Sequence, residues 1–514
     1  MHSPDYVVMV LYLALVVGLG ILFSRREKDT DDYLLGGRRM PWWVIGVSYM
    51  ISLLSTISLV AIPGEAYNHG VTRSFMSVLS PFAAVVSFYL FVRFYFRVKT
   101  FTPFAYLEQR FDRRVRLLGS LVFWWTRLAY LAMVLYSSSK VFEGAAHWPV
   151  WLTICLVGAI GIVYTTLGGM KAVVWTDFTQ FAVLAIGLTV ITVKCAATVE
   201  GGAAGIVSYA FSHGRGFEQF KDPRFFTLSP YVRFTFWVLV MATMMEHLFY
   251  NSADQISIQR LLSTSSYGQA KKSLFTFVVL GLPFSLVLWF LGIAIFTYYG
   301  HHPDEAQGLT GDLALFKFIR TQLPSPLRGL MISAMLAAVM STLDSGMNSL
   351  AAVATKDVYV EFIRPGASER KQVRFSRIMT VVVGAFAILT ALLIAMVSES
   401  IEETVIEAGT IWLSFSVVLA PIFLIGVTTR KVTGTHIIIA CVIAWAVTIY
   451  MVVWYLTSKG GPNAISFMYV GFPGFLTMLL VGYVPALLPG KPDPGKTDGL
   501  TLWTLKGGDA ADGP

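Results

Sequence analysis

The chain has 514 residues, of which 55% are hydrophobic and only 13% are charged, and its formal net charge is +9. A soluble globular domain is excluded, because such domains carry about 25% charged residues. The mean hydropathy of +0.66 and the apolar runs that recur from end to end indicate a polytopic membrane protein.

Apolar runs of membrane-spanning length predict about thirteen transmembrane segments. Their centres lie near Ala14, Ser52, Val85, Tyr130, Gly158, Ile186, Leu239, Val287, Ala338, Phe386, Val417, Ala446 and Met478. The first segment exceeds the core of a signal peptide and has no basic region before it, so we expect it to be retained.

Lys and Arg concentrate in alternate loops, as they do in the cytoplasmic loops of membrane proteins. Three clusters follow the first, third and ninth segments: Arg25, Arg26, Lys28, Arg38 and Arg39; Lys99, Arg110, Arg113, Arg114 and Arg116; Lys356, Arg364, Arg370, Lys371, Arg374 and Arg377. The loops 144–148 and 398–401 carry almost none. This asymmetry predicts an external N-terminus, a cytoplasmic C-terminus and a cell-membrane location. The same basic loops account for most of the net positive charge, so this charge does not indicate a nucleic-acid partner.

The connections between segments are too short to form a second folded domain. The longest polar ones are 200–230, 301–324 and the C-terminal tail, none of which could bury a sizeable core. We therefore predict a single membrane domain over residues 1–489. Pro494 and the final glycines predict a flexible tail over residues 490–514.

The segment from Met331 to Tyr359 is apolar except for one stripe at helical spacing. The stripe consists of Ala338, Ser341, Thr342, Ser345, Asn348 and Ser349. Asp344 flanks it, and a carboxylate at the bilayer centre costs roughly 2.5–3.5 kcal/mol, so we expect a partner or a cation there. The stripe predicts an ion site within the membrane, although small and hydroxylated residues also pack helices closely.

Five motifs in order give the chain a resemblance to a known family. They are Tyr33-Leu34-Leu35-Gly36-Gly37-Arg38; Thr102-Pro103 through Arg110-Phe111; Gly168-Gly169-Met170-Lys171-Ala172-Val173-Val174-Trp175-Thr176-Asp177; Asp254-Gln255 with Gln259-Arg260; and the helix 341–357. Over 33–426 the chain resembles the sodium:solute symporter family, in a bacterial-type form nearer to the monocarboxylate, vitamin, anion and proline branches than to the sugar branch.

The resemblance implies an all-α fold like that of the leucine transporter, with a core of two five-helix repeats of inverted topology. The repeats correspond to residues 42–197 and 230–428, and the first helix of each is interrupted. The residues support both breaks. Ser48, Ser52, Ser55, Thr56 and Ser58 precede Pro63-Gly64, a composition that can compensate an unwound backbone and end a helix. In the seventh segment, Tyr250-Asn251-Ser252 interrupts the apolar run.

The resemblance also implies a sodium site for the coupling ion. Its ligands would be the backbone carbonyls of Ile51, Leu54 and Ala338 and the hydroxyls of Ser341 and Thr342. Unwound carbonyls at helix breaks coordinate cations in transporters. Neither another metal nor an organic cofactor is predicted.

Some family members have a second sodium site, which maps to Asp177, Asp344 and Ser345. Here the sequence departs from the pattern, because Asp344 stands where those members have a hydroxyl. Two neighbouring carboxylates would either hold a cation more firmly or share a proton. The alternative is that Asp177 pairs with a nearby Arg or Lys.

Candidate substrate or gate residues also follow from the resemblance. They are Ser55, Ser58, Tyr250, Asn251 and Trp412, with Tyr250 matching an inner-gate tyrosine. Arg127, Glu246 and His247 are added because they are ionisable residues within predicted spans. Asp254, Gln255 and Arg260 are expected to brace a cytoplasmic loop instead.

The substrate class is inferred from departures from the sugar-transporting pattern. Sugar-binding positions correspond to Leu53, Ser58, Met76 or Ser77, Gly281 and Gly409, where this chain has small or apolar residues. A sugar would therefore lose buried hydrogen bonds. We predict sodium-coupled import of a small organic solute, often an anion, by alternating access.

Other functions are weighed against this prediction. Sodium/sugar symport and proton-coupled symport are alternatives within the same class, and a transporter-like sensor or channel is the alternative of another class. An enzyme is not predicted, because HExxH, GxSxG and paired metal motifs are missing from the sequence.

Overall fold

The computed structural model describes residues 2–24, 29–309, 311–397, 409, 411–461, 464–489 and 491–505. Arg25, Arg26 and Lys28, the loop 398–401, residue 490 and the segment 506–514, which enter the sequence predictions, lie outside these ranges, as does the side chain of Thr56. Within these ranges the regular structure is entirely helical, which confirms the predicted all-α class.

The helices of eight or more residues are numbered here in chain order. They are α1 Ser3–Ser24, α2 Trp42–Ser52, α3 Thr56–His69, α4 Phe75–Val98, α5 Arg113–Ala146, α6 Val150–Thr198, α7 Gly202–Ser212, α8 Phe236–Ser252, α9 Gln255–Leu262, α10 Tyr267–His301, α11 Gly311–Gln322, α12 Leu327–Val353, α13 Glu369–Val397, α14 Leu419–Thr428, α15 Gly434–Ser458 and α16 Phe472–Leu487. Shorter α-helices are Thr30–Leu35, Phe104–Arg110, Pro303–Ala306 and Pro494–Thr497, and a π-helix, Ala354–Ile363, continues α12. Single 3₁₀ turns lie at Gly36–Arg38, Thr72–Ser74, Glu218–Lys221, Pro223–Phe226, Ser414–Ser416 and Phe467–Tyr469.

Ten helical segments of the described chain are long and apolar enough to cross a membrane. This confirms a multi-pass membrane protein. The predicted centres Gly158 and Ile186 both fall in the 49-residue α6, whereas Ser52 and Leu239 fall in the shorter α2 and α8. The count of thirteen therefore stays a prediction.

A glycine kink divides α6 between its two predicted spans. Gly169 has φ 49° and ψ −155°, a backbone conformation that is essentially restricted to glycine. The close neighbour Gly168 lies against α1, since a Cβ there would stand 2.9 Å from the carbonyl oxygen of Gly20. Gly169 thus allows the kink in α6, and Gly168 allows α6 to pack closely against α1.

The second predicted span is broken, as expected. Helix α2 ends at Ser52 and α3 begins at Thr56, with Ser55 as the N-cap residue that accepts a hydrogen bond from the Ser58 amide. Pro63-Gly64 does not end this helix, which continues to His69. Helix α10 packs so closely there that a Cβ on Gly292 would lie 2.4 Å from the Pro63 carbonyl oxygen. Tertiary packing therefore keeps the helix intact despite the missing N–H group of the proline.

The seventh predicted span is also broken, but one step later than the sequence indicated. Tyr250, Asn251 and Ser252 form the last turn of α8, and the interruption falls at Ala253 and Asp254 before α9. The Ser252 carbonyl is not left unsatisfied, because the Tyr95 hydroxyl donates to it at 2.5 Å. Such a bond lets a helix end inside the protein.

Helix α12 forms the centre of the bundle. Its apolar stretch is 94% buried, against at most 61% for the other candidate spans. It packs chiefly against α6, and also against α5, α1 and α13. The polar stripe therefore faces protein on all sides rather than lipid, as ionisable residues within membranes require.

The C-terminal segment packs against the bundle, in contrast to the predicted flexible tail. The Tyr106 hydroxyl donates to the Leu500 carbonyl at 2.8 Å, and the Leu502 amide donates to the Val427 carbonyl at 2.8 Å. Thr497 and Thr501 are buried. These hydrogen bonds hold residues 494–505 against the bundle, although their composition is typical of a mobile end.

Candidate functional site

The polar stripe of α12 meets the break between α2 and α3. The Thr342 hydroxyl lies 3.1 Å from the Ala338 carbonyl oxygen within its own helix and 3.5 Å from the Leu54 carbonyl oxygen at the break. The Ile51 carbonyl, one turn before the break, accepts a hydrogen bond from the Leu54 amide at 3.0 Å. Two of the predicted sodium ligands, the Ala338 and Leu54 carbonyls, therefore lie against a third, the Thr342 hydroxyl.

Ser341 points to a different neighbour. Its hydroxyl donates to Asp177 Oδ1 at 2.6 Å. Because the proton is engaged there, the oxygen lone pairs remain as acceptors. A hydroxyl in this arrangement can offer an electron pair to a cation while it stays bonded to a carboxylate.

Asp177 is paired with a guanidinium in the interior of the protein. Arg260 donates to Asp177 Oδ2 at 2.7 Å and to Ser48 Oγ at 2.8 Å, and it also contacts the Ser345 hydroxyl. Arg260 and Asp177 are both almost completely buried. The expectation that Arg260 braces a loop is wrong, because α9 follows the second break and directs this side chain inwards. This geometry agrees with the alternative interpretation from the sequence, in which Asp177 pairs with a nearby Arg or Lys.

Asp344 lies beside this pair. Tyr164 donates to Asp344 Oδ2 at 2.8 Å, and Ser345 donates to Oδ1 at 3.1 Å. Among the described residues Asp344 has no basic partner. Two buried carboxylates thus lie near one guanidinium, which forms an ion pair with Asp177. Tyr164 was missed by the sequence predictions, because its position four residues before the motif that begins at Gly168 gives no sign that it faces α12.

An inner cavity of about 230 Å³ lies next to the break in the second span. The positions that correspond to sugar-binding residues line it, with the exception of Gly409: they are Leu53, Ser58, Met76, Ser77 and Gly281. Glu246, His247 and Tyr250 of α8 form another part of the wall. The cavity is small compared with the 300–1,000 Å³ of typical ligand sites.

The structure separates the predicted substrate and gate residues. Tyr250 and Ser58 line the inner cavity, whereas Ser55 is buried at the N-terminus of α3. Asn251 does not reach the cavity, because its side chain is bonded to Ser87 and Tyr49.

Trp412 packs away from the inner cavity as well. Its ring lies 5.4 Å from that of Trp125.

Arg127 forms an ion pair with Asp254 at the second break, at 2.8 Å. The Arg127 charge is therefore already compensated within the protein.

A larger cavity of about 660 Å³ adjoins the inner one and shares Ser58, Ser77 and Glu246 with it. Its wall includes Arg73 and the ion pair between Arg233 and Glu65, which are 3.0 Å apart. Sequence reasoning missed Arg73 and Arg233. They could have been noticed in the sequence, because they are basic residues in loops that the charge asymmetry predicts to be poor in Lys and Arg.

His69, at the end of α3, also lines this larger cavity. Burial lowers the pKa of its imidazole, and the nearby Arg233 lowers that pKa further. The neutral form of His69 is therefore favoured at neutral pH.

The sequence matches a family model over most of its length. The model for the sodium:solute symporter family matches residues 33–443. The sodium/sialic acid symporter of Aliivibrio fischeri is 28% identical over 94% of this chain and 92% of that protein. The human sodium-coupled monocarboxylate transporter 1 is 27% identical over 79% of this chain and 67% of that protein.

A solved structure resembles the fold closely. It shows a Na⁺-coupled sialic acid symporter in a substrate-bound, outward-open state. It superposes with a TM-score of 0.86 at 25% identity, covering 96% of this chain and 99% of that chain.

Proposed function

Because the chain belongs to the sodium:solute symporter family, we propose that it imports a small organic solute together with sodium by alternating access. It is a multi-pass membrane transporter and not an enzyme. The observation that carries the proposal is the contact of Thr342 with Leu54, which places a stripe hydroxyl against a backbone carbonyl freed by a helix break.

The sodium ion would bind where α12 meets this break. The proposed ligands are the carbonyls of Ile51, Leu54 and Ala338 and the hydroxyls of Ser341 and Thr342. Oxygen donors suit a hard cation, and carbonyls at the break of a discontinuous helix are typical ligands of coupling ions. The Ser341 bond to Asp177 orients the hydroxyl so that its lone pairs face away from the carboxylate.

A second cation or a proton would bind at Asp177, Asp344 and Ser345. The proposal is supported by the charges of the buried groups: Asp177 and Asp344 are two carboxylates, but only one guanidinium, that of Arg260, forms an ion pair with either of them. A bound cation would compensate that excess. Arg260 donates to Asp177 Oδ2 and Ser341 donates to Oδ1, whereas Asp344 has no basic partner among the described residues.

Binding of sodium would link the broken span to α12 and favour the state in which the solute cavity is complete. Loss of the ion on the inner side would loosen that link and release the solute. One sodium ion that moves down about 100 mV releases about 2.3 kcal/mol, and a tenfold gradient adds about 1.4 kcal/mol. Together they support accumulation of a neutral solute by about 500-fold.

The proposed arrangement in the membrane has thirteen spans, with inverted repeats over 42–197 and 230–428, an external N-terminus and a cytoplasmic C-terminus. The alternating basic loops support this orientation. A cell-membrane location agrees with the bacterial relatives of the chain.

The test is a thermal-shift screen of the purified protein against candidate solutes, each in sodium and in potassium. A ligand that binds only the folded state raises the thermal transition. A solute whose stabilisation requires sodium supports the proposal. A solute that stabilises the protein equally in both salts contradicts sodium coupling, and a dependence on pH instead of sodium would favour proton-coupled symport through Asp177 and Asp344.

Uptake into proteoliposomes separates symport from the other class of function. A symporter accumulates the solute above its external concentration when a sodium gradient is imposed. A channel only equilibrates the solute across the membrane, and a sensor binds it without transport.

A further inference from the structure

Glu246 places a carboxylate at the junction of the cavities. It lies in the middle of α8, and its side chain lines the inner cavity, the larger cavity and a third cavity of about 340 Å³. Tyr250 donates to Glu246 Oε1 at 2.6 Å. Within the described chain no basic side chain forms an ion pair with it. The described hydrogen bond satisfies one oxygen of this carboxylate, so the other oxygen can accept from a cationic group.

Arg73 places a guanidinium on the wall of the same cavities. It lines both the larger and the third cavity together with Glu246. Its guanidinium carbon lies 5.1 Å from the centroid of the Phe234 ring. Among the residues that the structure describes, the Arg73 side chain forms neither a hydrogen bond nor an ion pair. Its donors are therefore available for a planar carboxylate.

Two other basic residues near these cavities are engaged in ion pairs: Arg233 is paired with Glu65, and Arg127 is paired with Asp254. Lys459 also lines the larger cavity and has an interaction of its own. Glu246 and Arg73 differ from these paired residues. Each lines the larger and the third cavity, and neither has an oppositely charged side chain in contact with it.

We propose that the solute is a small zwitterion, with its cationic group at Glu246 and its carboxylate at Arg73. This inference rests on the proposed transport function and specifies the substrate class. A simple monocarboxylate would satisfy Arg73 but would bring a second negative charge towards Glu246. A simple amine would leave Arg73 without a partner.

The ring of Tyr250 supports the assignment of the cationic end. It borders the inner cavity beside Glu246, and aromatic faces attract ammonium groups. Arg73, Glu246 and Tyr250 together line the third cavity, of about 340 Å³, so both ends of the zwitterion would be held there.

The inference is tested by binding to the purified full-length protein in sodium, with thermal shift as the first readout and calorimetry for affinities. The probes are the proteinogenic amino acids and glycine betaine, the deaminated acids, the decarboxylated amines and N-acetylneuraminate. We expect stabilisation by one or more zwitterions and none by their deaminated or decarboxylated counterparts.

Variants then assign the two ends. Glu246→Gln and Arg73→Gln should each weaken binding of the zwitterion by tenfold or more, as the loss of a charge-assisted contact implies. Glu65→Gln is the matched control, because this acid lines the larger cavity but is paired with Arg233. Its effect on the dissociation constant should stay within about twofold, as for a partly exposed pair.

Folding and ion binding are checked on the same samples. Stabilisation of the Glu246→Gln variant by sodium alone shows that it is folded and that its ion site is intact. N-acetylneuraminate or a deaminated acid that binds as well as any zwitterion would overturn the inference, and so would an unchanged zwitterion affinity in Glu246→Gln. Zwitterion binding that is equal in sodium and potassium would instead overturn the proposed coupling and leave the substrate class supported.

Discussion

Ser341 and Thr342 are neighbours in the sequence, but they perform different tasks in the stripe. Thr342 reaches the Leu54 carbonyl at the helix break, whereas Ser341 donates to Asp177. Successive residues of a helix point about 100° apart, so the pair connects α12 both to α6 and to the break between α2 and α3. This explains why two adjacent hydroxyls occur in an otherwise apolar stretch.

Replacing Ser341 or Thr342 with Ala should raise the sodium concentration for half-maximal transport by about tenfold, since one oxygen ligand of the ion is lost. The measurement is initial uptake as a function of sodium concentration. Ser333→Ala is the control, because this buried hydroxyl of the same helix is bonded to the Gly329 carbonyl, away from the break. If sodium dependence is the same in all three variants, the ion does not bind here.

The pair of Asp177 and Arg260 is the most buried ion pair of the described chain, with side-chain exposures of 0% and 1%. Arg260→Ala should lower the stability by about 3–5 kcal/mol, because it leaves a buried carboxylate without its partner. The double variant Asp177→Asn with Arg260→Met should recover most of this loss.

The thermal transition in detergent measures these effects. Arg224→Ala, which removes an exposed pair with Asp222, is the control and should change stability by at most about 1 kcal/mol. A single Arg260→Ala variant as stable as this control would show that Asp177 is not charged in the folded protein.

At the scale of elements, three interruptions of helices organise the site. The break after α2 exposes the Leu54 carbonyl, the break after α8 places Asp254 against Arg127, and the kink at Gly169 directs the second half of α6 towards α12. Each interruption frees backbone or side-chain groups that a continuous helix would not present. The long uninterrupted α12 provides the fixed surface that they meet.

Gly169→Ala should destabilise the protein by about 1–3 kcal/mol, because its φ of 49° and ψ of −155° lie in a region accessible only to glycine. The thermal transition is the measurement. Gly18→Ala in α1 is the control, since no atom lies within 4 Å of its added Cβ, and it should be neutral or slightly stabilising. Equal transitions for the two variants would mean that the kink can straighten without cost.

At the scale of the whole molecule, buried interactions of basic residues connect the ends of the helices. Arg110 donates to the carbonyls of Gly426, Thr429 and Val432, and Arg116 pairs with Asp357 at 2.8 Å. The segment 494–505 packs against the same region. The basic loops therefore have structural partners besides any role in setting the orientation of the chain.

The proposed orientation predicts labelling from opposite sides of the membrane. In a Cys155→Ala background, a cysteine at the exposed Ser3 should react with an impermeant maleimide in intact cells. A cysteine at the exposed Lys371 should react only after the cells are permeabilised. The background protein is the control, because its remaining cysteines, Cys195 and Cys441, are buried. The reverse pattern would contradict an external N-terminus.

Local composition determined the class of the protein and the stripe on α12, and it supported the two helix breaks that the family resemblance implies. These features depend on residues close together in the chain: apolar length, helical spacing, and clusters of hydroxyl, Gly and Pro residues. The exact position of each break was not determined locally. Packing of α10 kept α3 helical through Pro63, and the Tyr95 hydroxyl allowed α8 to continue to Ser252.

Only the tertiary structure decided which polar groups face one another. Arg260 meets Asp177 across 83 residues, and Tyr164 meets Asp344 across 180 residues. Asn251 turns from the cavity towards Ser87, whereas Glu246 opens into the cavity. The physical reason is that spacing fixes the relative face of each side chain on its own helix, while the rotation and contacts of that helix in the bundle depend on the packing of all its neighbours.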